Sequence, residues 1–238
     1  MNLNNLKQAA IEASRKAGDF LISKKTMYKE VLNEKGRDIK LKADQQTEEL
    51  IRKELSSTGI EVYGEEFGGT MHDLVWIVDP IDGTANYFRG LDQCCTSIAL
   101  FDGKTALIGV IYNFNTNEMY TAVKGHGAFM NNDSIKVSQV NQKNKASLTT
   151  GFPASESVES SMRFLEGLKE WKKIRMFGSA ALSCAYVASG KCDFYAEKGV
   201  YLWDFAAGIC LVQEAGGKAE YTSLDNNRFS VKFSNNLL

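Results

Sequence analysis

The stretch Trp76-Ile77-Val78-Asp79-Pro80-Ile81-Asp82-Gly83-Thr84-Ala85-Asn86-Tyr87 decides how the rest of the chain is read. Apolar residues at 74–78 predict a buried strand. Asp79 and Pro80 close it, because proline has no N–H to give to a sheet ladder. Asp79 and Asp82 then leave a rigid strand end three residues apart, and carboxylates that close repel one another unless a cation lies between them. Hard divalent ions with oxygen ligands, Mg²⁺ first among them, suit such a pair. Gly83-Thr84-Ala85-Asn86 adds open backbone N–H groups and a hydroxyl at a helix start, which is an anion site. Metal-binding acids beside a phosphate-cradling turn point to metal-assisted hydrolysis of a phosphate ester. Taken alone, Asp-Pro also fits an ordinary turn and Gly-Thr an ordinary helix cap.

Three further blocks accompany this one. Tyr63-Gly64-Glu65-Glu66 places two acids at the end of a short alternating segment, residues 60–63. Lys35 and Asp38 precede Ala43-Asp44, and Trp203-Asp204-Phe205-Ala206-Ala207-Gly208 precedes Glu214-Ala215-Gly216-Gly217. With Asp79-Pro-Ile-Asp82-Gly83-Thr84-Ala-Asn86, these blocks resemble, in order, the signature segments of the inositol monophosphatase family, within the wider fructose-bisphosphatase-like superfamily. The resemblance covers nearly the whole chain.

The resemblance implies an α+β and α/β fold, a layered αβαβα sandwich of two tightly joined halves. Residues 1–140 would carry most metal ligands, and residues 141–238 would supply Asp204 and substrate contacts. It implies direct attack by water on a phosphate monoester, with no phosphoenzyme. One Mg²⁺ is assigned to Glu65, Asp79 and the carbonyl of Ile81, and a second to Asp79, Asp82 and Asp204, with Mn²⁺ as a substitute. A third, weaker ion near Lys35 is argued against by Leu41, which stands where relatives have a threonine, and by the flanking Lys40 and Lys42. Glu65, Thr84 and Asp44 are the implied catalytic residues, with Glu65 and Thr84 orienting water and Asp44 beside the threonine. Asp82, Gly83, Thr84, Gly178, Ser179, Ala180, Glu197 and Asp204 are the implied substrate contacts. Inositol monophosphate or a related sugar phosphate is the implied substrate. Fructose 1,6-bisphosphate, a 3′(2′),5′-bisphosphate nucleotide and histidinol phosphate are the alternatives, and a non-catalytic binding subunit is a further one. Relatives are commonly homodimers, and a homodimer is implied here. A phosphatase of the haloacid dehalogenase type would place Asp-x-Asp after an early strand, whereas the spacing here is Asp-x-x-Asp in mid-chain.

Read in order, residues 3–25 repeat apolar positions at helical spacing. Residues 33–42 predict a loop or irregular strand, and Asp44 predicts the N-cap of a helix at 45–56. Residues 95–101, 106–112 and 118–123 predict antiparallel neighbours of the central strand, with turns at Asp102-Gly103 and 113–117. A polar junction at 139–145 leads into strands at 146–152, 173–177 and 192–197, alternating with helices at 157–171, 179–189 and 203–215. Strands at 218–222 and 229–233 follow, an α/β pattern. The chain stops at Leu238, so the last helix that relatives usually carry is expected to be absent. His126, between two glycines, and Arg89 carry no partner motif and read as surface residues.

The 238 residues are 44% hydrophobic and 24% charged, with formal net charge −1. That balance excludes a globally basic surface for nucleic acid or anionic membrane. No run of 18 apolar residues occurs, and residues 1–8 lack a signal-peptide core. The five cysteines are an odd number in apolar contexts, which predicts reduced core thiols in a cytoplasmic protein. Composition thus leaves no nucleic acid or membrane as expected partners, and the resemblance implies a small phosphate ester.

Overall fold

The computed structural model describes residues 2–24, 31–35, 38–152 and 157–238, with backbone alone for 31–35 and 38–40. Helix α1 (Leu3–Lys24) opens the chain, followed by a hairpin of β1 (Val31–Lys35) and β2 (Asp38–Leu41), helix α2 (Lys42–Leu55), and strands β3 (Val62–Gly64) and β4 (Val75–Asp82). A short helix α3 (Thr84–Arg89) leads into β5 (Cys95–Phe101), β6 (Ala106–Asn113), β7 (Glu118–Val123), β8 (Ala128–Met130) and β9 (Asp133–Ile135). Then come β10 (Ser147–Thr150), α4 (Val158–Leu168), β11 (Lys173–Arg175), α5 (Ala180–Ala188), β12 (Phe194–Val200), α6 (Leu202–Glu214), β13 (Lys218–Ser223) and β14 (Phe229–Ser234).

Strands β3 to β9 form a seven-stranded sheet in sequence order, and a five-stranded sheet runs β11-β10-β12-β14-β13. All eight residues of β4 are buried, so neither face of this strand meets water. Its alternation separates two cores. Trp76 and Val78 pack with Ala10, Ala13, Ala17 and Leu21 of α1 and with Ile51 and Leu55 of α2. Val75 and Ile77 pack with α5, with α6 and with Tyr195, Val231 and Phe233 of the smaller sheet.

In the smaller sheet β10 is parallel to both β11 and β12. The β10–α4–β11 connection steps one way across the sheet and the β11–α5–β12 connection steps back. Right-handed crossovers therefore place α4 and α5 on opposite faces. The layers run α1/α2, seven strands, α5/α6, five strands, α4, the αβαβα sandwich anticipated above. The α4 layer is thin: no residue of α4 is buried, and Phe164 meets Phe152 edge-on at 6.2 Å.

Two local expectations are corrected. Pro80 does not end the central strand; β4 continues to Asp82 through an irregularity between Asp79 and Asp82. A proline is tolerated inside a strand where a bulge removes the need for its N–H. Asp44 is not an N-cap, because α2 already starts at Lys42 and Asp44 is the third helical residue. The region 33–42, read as a loop or irregular strand, holds strand: β1 pairs antiparallel with β2, with a register shift between Val31 and Asn33. Residues 36 and 37, and the side chains of Lys35, Asp38 and Lys40, lie outside what is described, and so does the reading of a third ion there. All five cysteines are free and buried. Among the described residues no helix is long and apolar enough to cross a membrane.

Helix α6 seats against β6 at Gly109, where an added Cβ would lie 2.3 Å from the Ala207 carbonyl oxygen. Gly109→Ala is expected to destabilise the fold by about 1–3 kcal/mol through overpacking. Urea unfolding should show a lower midpoint with an unchanged slope.

Candidate active site

Residues three apart on a regular strand face opposite sides. On β4, Asp79 pairs with Ser97 and Asp82 with Cys95, so three steps on one strand match two on its neighbour. This bulge, with Pro80 inside it, shifts the phase. Ile81 turns into the α1/α2 core, and Asp82 comes round to the α5/α6 side that Asp79 shares with Asp204. Asp79 Oδ1 accepts the N–H of Ile81 at 3.0 Å, which fixes the carboxylate against its own loop.

Glu65 reaches the same place from the next strand. β3 runs parallel to β4 with Gly64 opposite Val78, and the Glu65 N–H donates to the Val78 carbonyl at 3.2 Å. Glu65 and Asp79 thus leave adjacent parallel strands side by side.

Asp82 is gripped by the other half of the chain. Its Oδ2 accepts the hydroxyl of Ser179 and, at 2.8 Å, the N–H of Ala181; its Oδ1 accepts the N–H of Ala180 at 3.2 Å. Ser179 is the N-cap of α5, and Gly178 before it has φ 68°. The donors of Ser179 and Ala180 that sequence reading gave to substrate are thus spent on holding Asp82. Asn86 reinforces the junction: its Nδ2 donates to the carbonyls of Gln93 and Phe177, both at 2.7 Å. Neither contact is legible locally, because each joins residues more than 90 positions apart or turns on a side-chain amide inside a helix.

Asp204 and Asp44 occupy equivalent places, each the third residue of its helix. Asp204 Oδ2 accepts the N–H of Tyr201 and Asp44 Oδ2 that of Leu41, both at 2.8 Å. The negative charges also suit the positive helix ends. Asp44 Oδ1 accepts from the Thr84 hydroxyl at 3.0 Å, and the Ile81 carbonyl lies 2.9 Å from the same hydroxyl. Gly83, at φ 87°, is the N-cap of α3, whose first N–H groups have no helical acceptors. An added Cβ on Gly83 would sit 2.7 Å from the Gln93 carbonyl, so the turn excludes larger residues.

The acids crowd one another. Burial pushes the Asp79 carboxyl well above the ordinary range, and Glu65, Asp82, Asp204 and Asp44 push it further. Asp204 is raised by burial first and then by Asp82, against the Tyr201 N–H. Asp82 is raised by burial against the pull of Ser179, Ala181 and Ala180. Asp44 is raised to about 7, again by burial, with the Leu41 N–H opposing and Glu66 adding. Glu197 is also raised to about 7 by burial, against a hydrogen bond of 2.9 Å from Tyr195. It packs on Gly151, where an added Cβ would fall 1.9 Å from its Oε1. A groove of about 370 Å³ opens beside Glu197, lined by Phe152, Phe164, Arg163, Lys198 and Lys232 among others.

A patch of carboxylates in a low dielectric needs protons or cations. The donors are carboxylate and carbonyl oxygens, the set that hard divalent ions take. Among the described residues, Asp79 and Asp204 each commit one oxygen to a backbone N–H and keep the other for a ligand. No three acid, histidine or cysteine side chains among the described residues already close around a point. The acids stand near enough to disfavour one another's ionisation. These residues fit a Mg²⁺ site. His126 and Arg89 take no part. Both are exposed; His126 bonds the Lys124 carbonyl, and the Arg89 guanidinium lies 5.6 Å from the Phe88 ring centre.

The chain matches the model of the inositol monophosphatase family over residues 2–234. It is 38% identical over 216 residues to a protein of Xylella fastidiosa named Nus factor SuhB, covering 87% of this chain and 78% of that one. It is 34% identical over 243 residues to a Thermotoga maritima protein named fructose-1,6-bisphosphatase/inositol-1-monophosphatase, covering 96% and 91%. A solved IMPase of Thermotoga maritima superposes with a TM-score of 0.85 at 32% identity, covering 95% of this chain and 91% of that one.

A carboxyl whose native value is raised stabilises the fold in acid and loses that contribution as pH climbs from its unfolded to its native value. For Asp44 that window runs from 3.8 to about 7. In metal-free protein, Asp44→Asn should therefore gain thermal stability over the wild type as pH rises through this window, with little difference below it. Melting temperatures of the two proteins in chelator, across that range, check the sign.

Proposed function

The chain belongs to the inositol monophosphatase family, and from that premise we propose that it is a Mg²⁺-dependent phosphomonoesterase acting on inositol monophosphate or a related sugar phosphate. The observation that carries this reading is the convergence of Asp79, Asp82, Glu65 and Asp204 beside the Asp44–Thr84 pair. Glu65, Asp79 and the Ile81 carbonyl would hold one ion, and Asp79, Asp82 and Asp204 a second. Bound there, Mg²⁺ supplies positive charge against the phosphate and makes water more acidic.

The protein's own groups do the rest. The Thr84 hydroxyl has one proton and two acceptors in reach, Asp44 and the Ile81 carbonyl. With its hydrogen bond donated to Asp44, the hydroxyl oxygen has lone pairs free to orient a water. Glu65 is the acceptor placed to draw on that water from the neighbouring strand end. The N–H groups of Gly83 and Thr84 at the start of α3 meet the phosphate oxygens. Glu197 and the wall at Gly178 meet the sugar hydroxyls. Catalysis on this reading is positioning and charge neutralisation, as phosphoryl transfer requires. The family likeness also supports a homodimer, and the buried free thiols favour a cytoplasmic setting.

The cationic groove beside Glu197 favours a second substrate class, sugar phosphates with another anionic group, as does the name of the Thermotoga maritima relative. A further reading rests on the Xylella fastidiosa relative named a Nus factor, with the chain acting as a binding partner. Phosphate release with Mg²⁺ from a panel of inositol 1-phosphate, fructose 1,6-bisphosphate, a 3′,5′-bisphosphate nucleotide and histidinol phosphate separates these readings. Asp82→Asn should drop turnover to background with the fold intact by circular dichroism. Near-normal turnover in that variant refutes the two-ion assignment, and no release by the wild type on any ester favours the binding role.

A further inference from the structure

Helix α2 carries Asp44, Glu48 and Arg52 at four-residue spacing, which puts them on one face. Glu48 is wholly buried, a rare place for an acid unless it is paired and hydrogen-bonded. Its Oε1 accepts from Arg52 Nε at 2.8 Å and lies 2.7 Å from Arg52 Nη2. Its Oε2 accepts the N–H of Glu66 at 2.7 Å, and Oε1 that of Phe67 at 3.3 Å. Arg52 completes the grip by donating to the carbonyls of Val62 at 2.9 Å and Gly68 at 2.6 Å. An added Cβ on Gly64 would fall 2.2 Å from the Glu48 carboxylate, so the turn closes over Glu48 because it has no side chain there.

We propose that Glu48 and Arg52 are positioning residues, a buried ion pair that holds the 64–68 turn so that Glu65 is presented to Asp79. The reason is electrostatic. Glu65 repels Asp79 and Asp204, so without a tether the turn relaxes outward, carrying Glu65 to water. Glu48 pulls on the turn's N–H groups and Arg52 on the carbonyl of Val62, in the strand that leads into it, and of Gly68 at its far end, and together they oppose that repulsion. The same helix sets Asp44 on Thr84 one turn earlier. A rise of about 6 Å per four residues therefore fixes the separation of the water-orienting pair from the Glu65 turn.

This inference rests on the two-ion reading of the site. Its test is Mg²⁺ binding by calorimetry in the presence of inorganic phosphate, on wild type, Glu48→Gln and Arg52→Met, with folding followed by circular dichroism. Partners of metal ligands typically change affinity by roughly 10–100-fold. Glu48→Gln is expected to weaken Mg²⁺ by that factor, with turnover largely recovered at saturating Mg²⁺. Arg52→Met should shift it in the same direction by less, and it decides the matter should Glu48→Gln not fold. A lower melting temperature with Mg²⁺ affinity within twofold of wild type, in either folded variant, overturns the positioning role and leaves only a structural one. Absence of Mg²⁺ binding by the wild type overturns the two-ion reading itself, and this inference with it.

Discussion

Mutual repulsion among buried carboxylates is the constraint around which this fold is organised. Burial raises the cost of ionising Asp79 and Asp204, and nearby acids add to it: Glu65, Asp82, Asp204 and Asp44 at Asp79, and Asp82 and Glu65 at Asp204. Each of the four aspartates is held by a backbone N–H: Ile81 on Asp79, Ala181 on Asp82, Tyr201 on Asp204, Leu41 on Asp44. Charge-assisted bonds of this kind are about twice as strong as neutral ones. The local geometry around each acid therefore opposes what the group of acids would do alone. A site with this tension is stable with protons bound and ready for cations.

The bulge at Pro80 is the backbone device that makes the crowd possible. Without it, strand periodicity would send Asp79 and Asp82 to opposite faces of the sheet, one among the apolar side chains of α1 and α2. The proline removes a ladder donor where the extra residue has removed the need for one. Sequence reading sees the missing donor and concludes that the strand stops. The same missing donor is equally compatible with a bulge, and only the register against β5 distinguishes the two. Legibility divides along this line throughout the molecule. The strands at 95–101 and 118–123 were readable to the residue because composition and turn signals are local. The clustering of Glu65, Asp79, Asp82 and Asp204 came from ordered motifs, not from periodicity. Hidden from both were contacts set by tertiary docking: Ser179 on Asp82, Asn86 on Phe177, and the third-residue position of Asp44. In the last case Leu41, which has no capping oxygen, leaves α2 to be capped from within by an acid one turn inside.

Because Asp82 is anchored by α5 and Asp204 comes from α6, the site exists only when the two sheets have docked across the α5/α6 layer. Small residues make that docking close. Gly109 admits the Ala207 backbone, and Gly208 admits Cys184, whose Sγ would lie 2.6 Å from an added Cβ. Close packing of this sort transmits displacement and does not absorb it. The apolar seam and the acid cluster are thus one cooperative unit.

The division of labour between sheets also locates where specificity can vary. Of the four aspartates held by backbone N–H groups, Asp44, Asp79 and Asp82 come from residues 44–84 and only Asp204 from the second half of the chain. The surfaces beyond them, Gly151, Glu197 and the groove under α4, belong to the smaller sheet, and α4 itself buries no residue. A thinly packed outer helix can shift or be re-sequenced at small cost in core energy. Substitution there alters the wall of the groove beside Glu197 while the acid cluster, one layer in, keeps its anchors. That separation between a rigidly anchored acid cluster and a loosely held rim lets the rim change its shape while the cluster keeps its geometry.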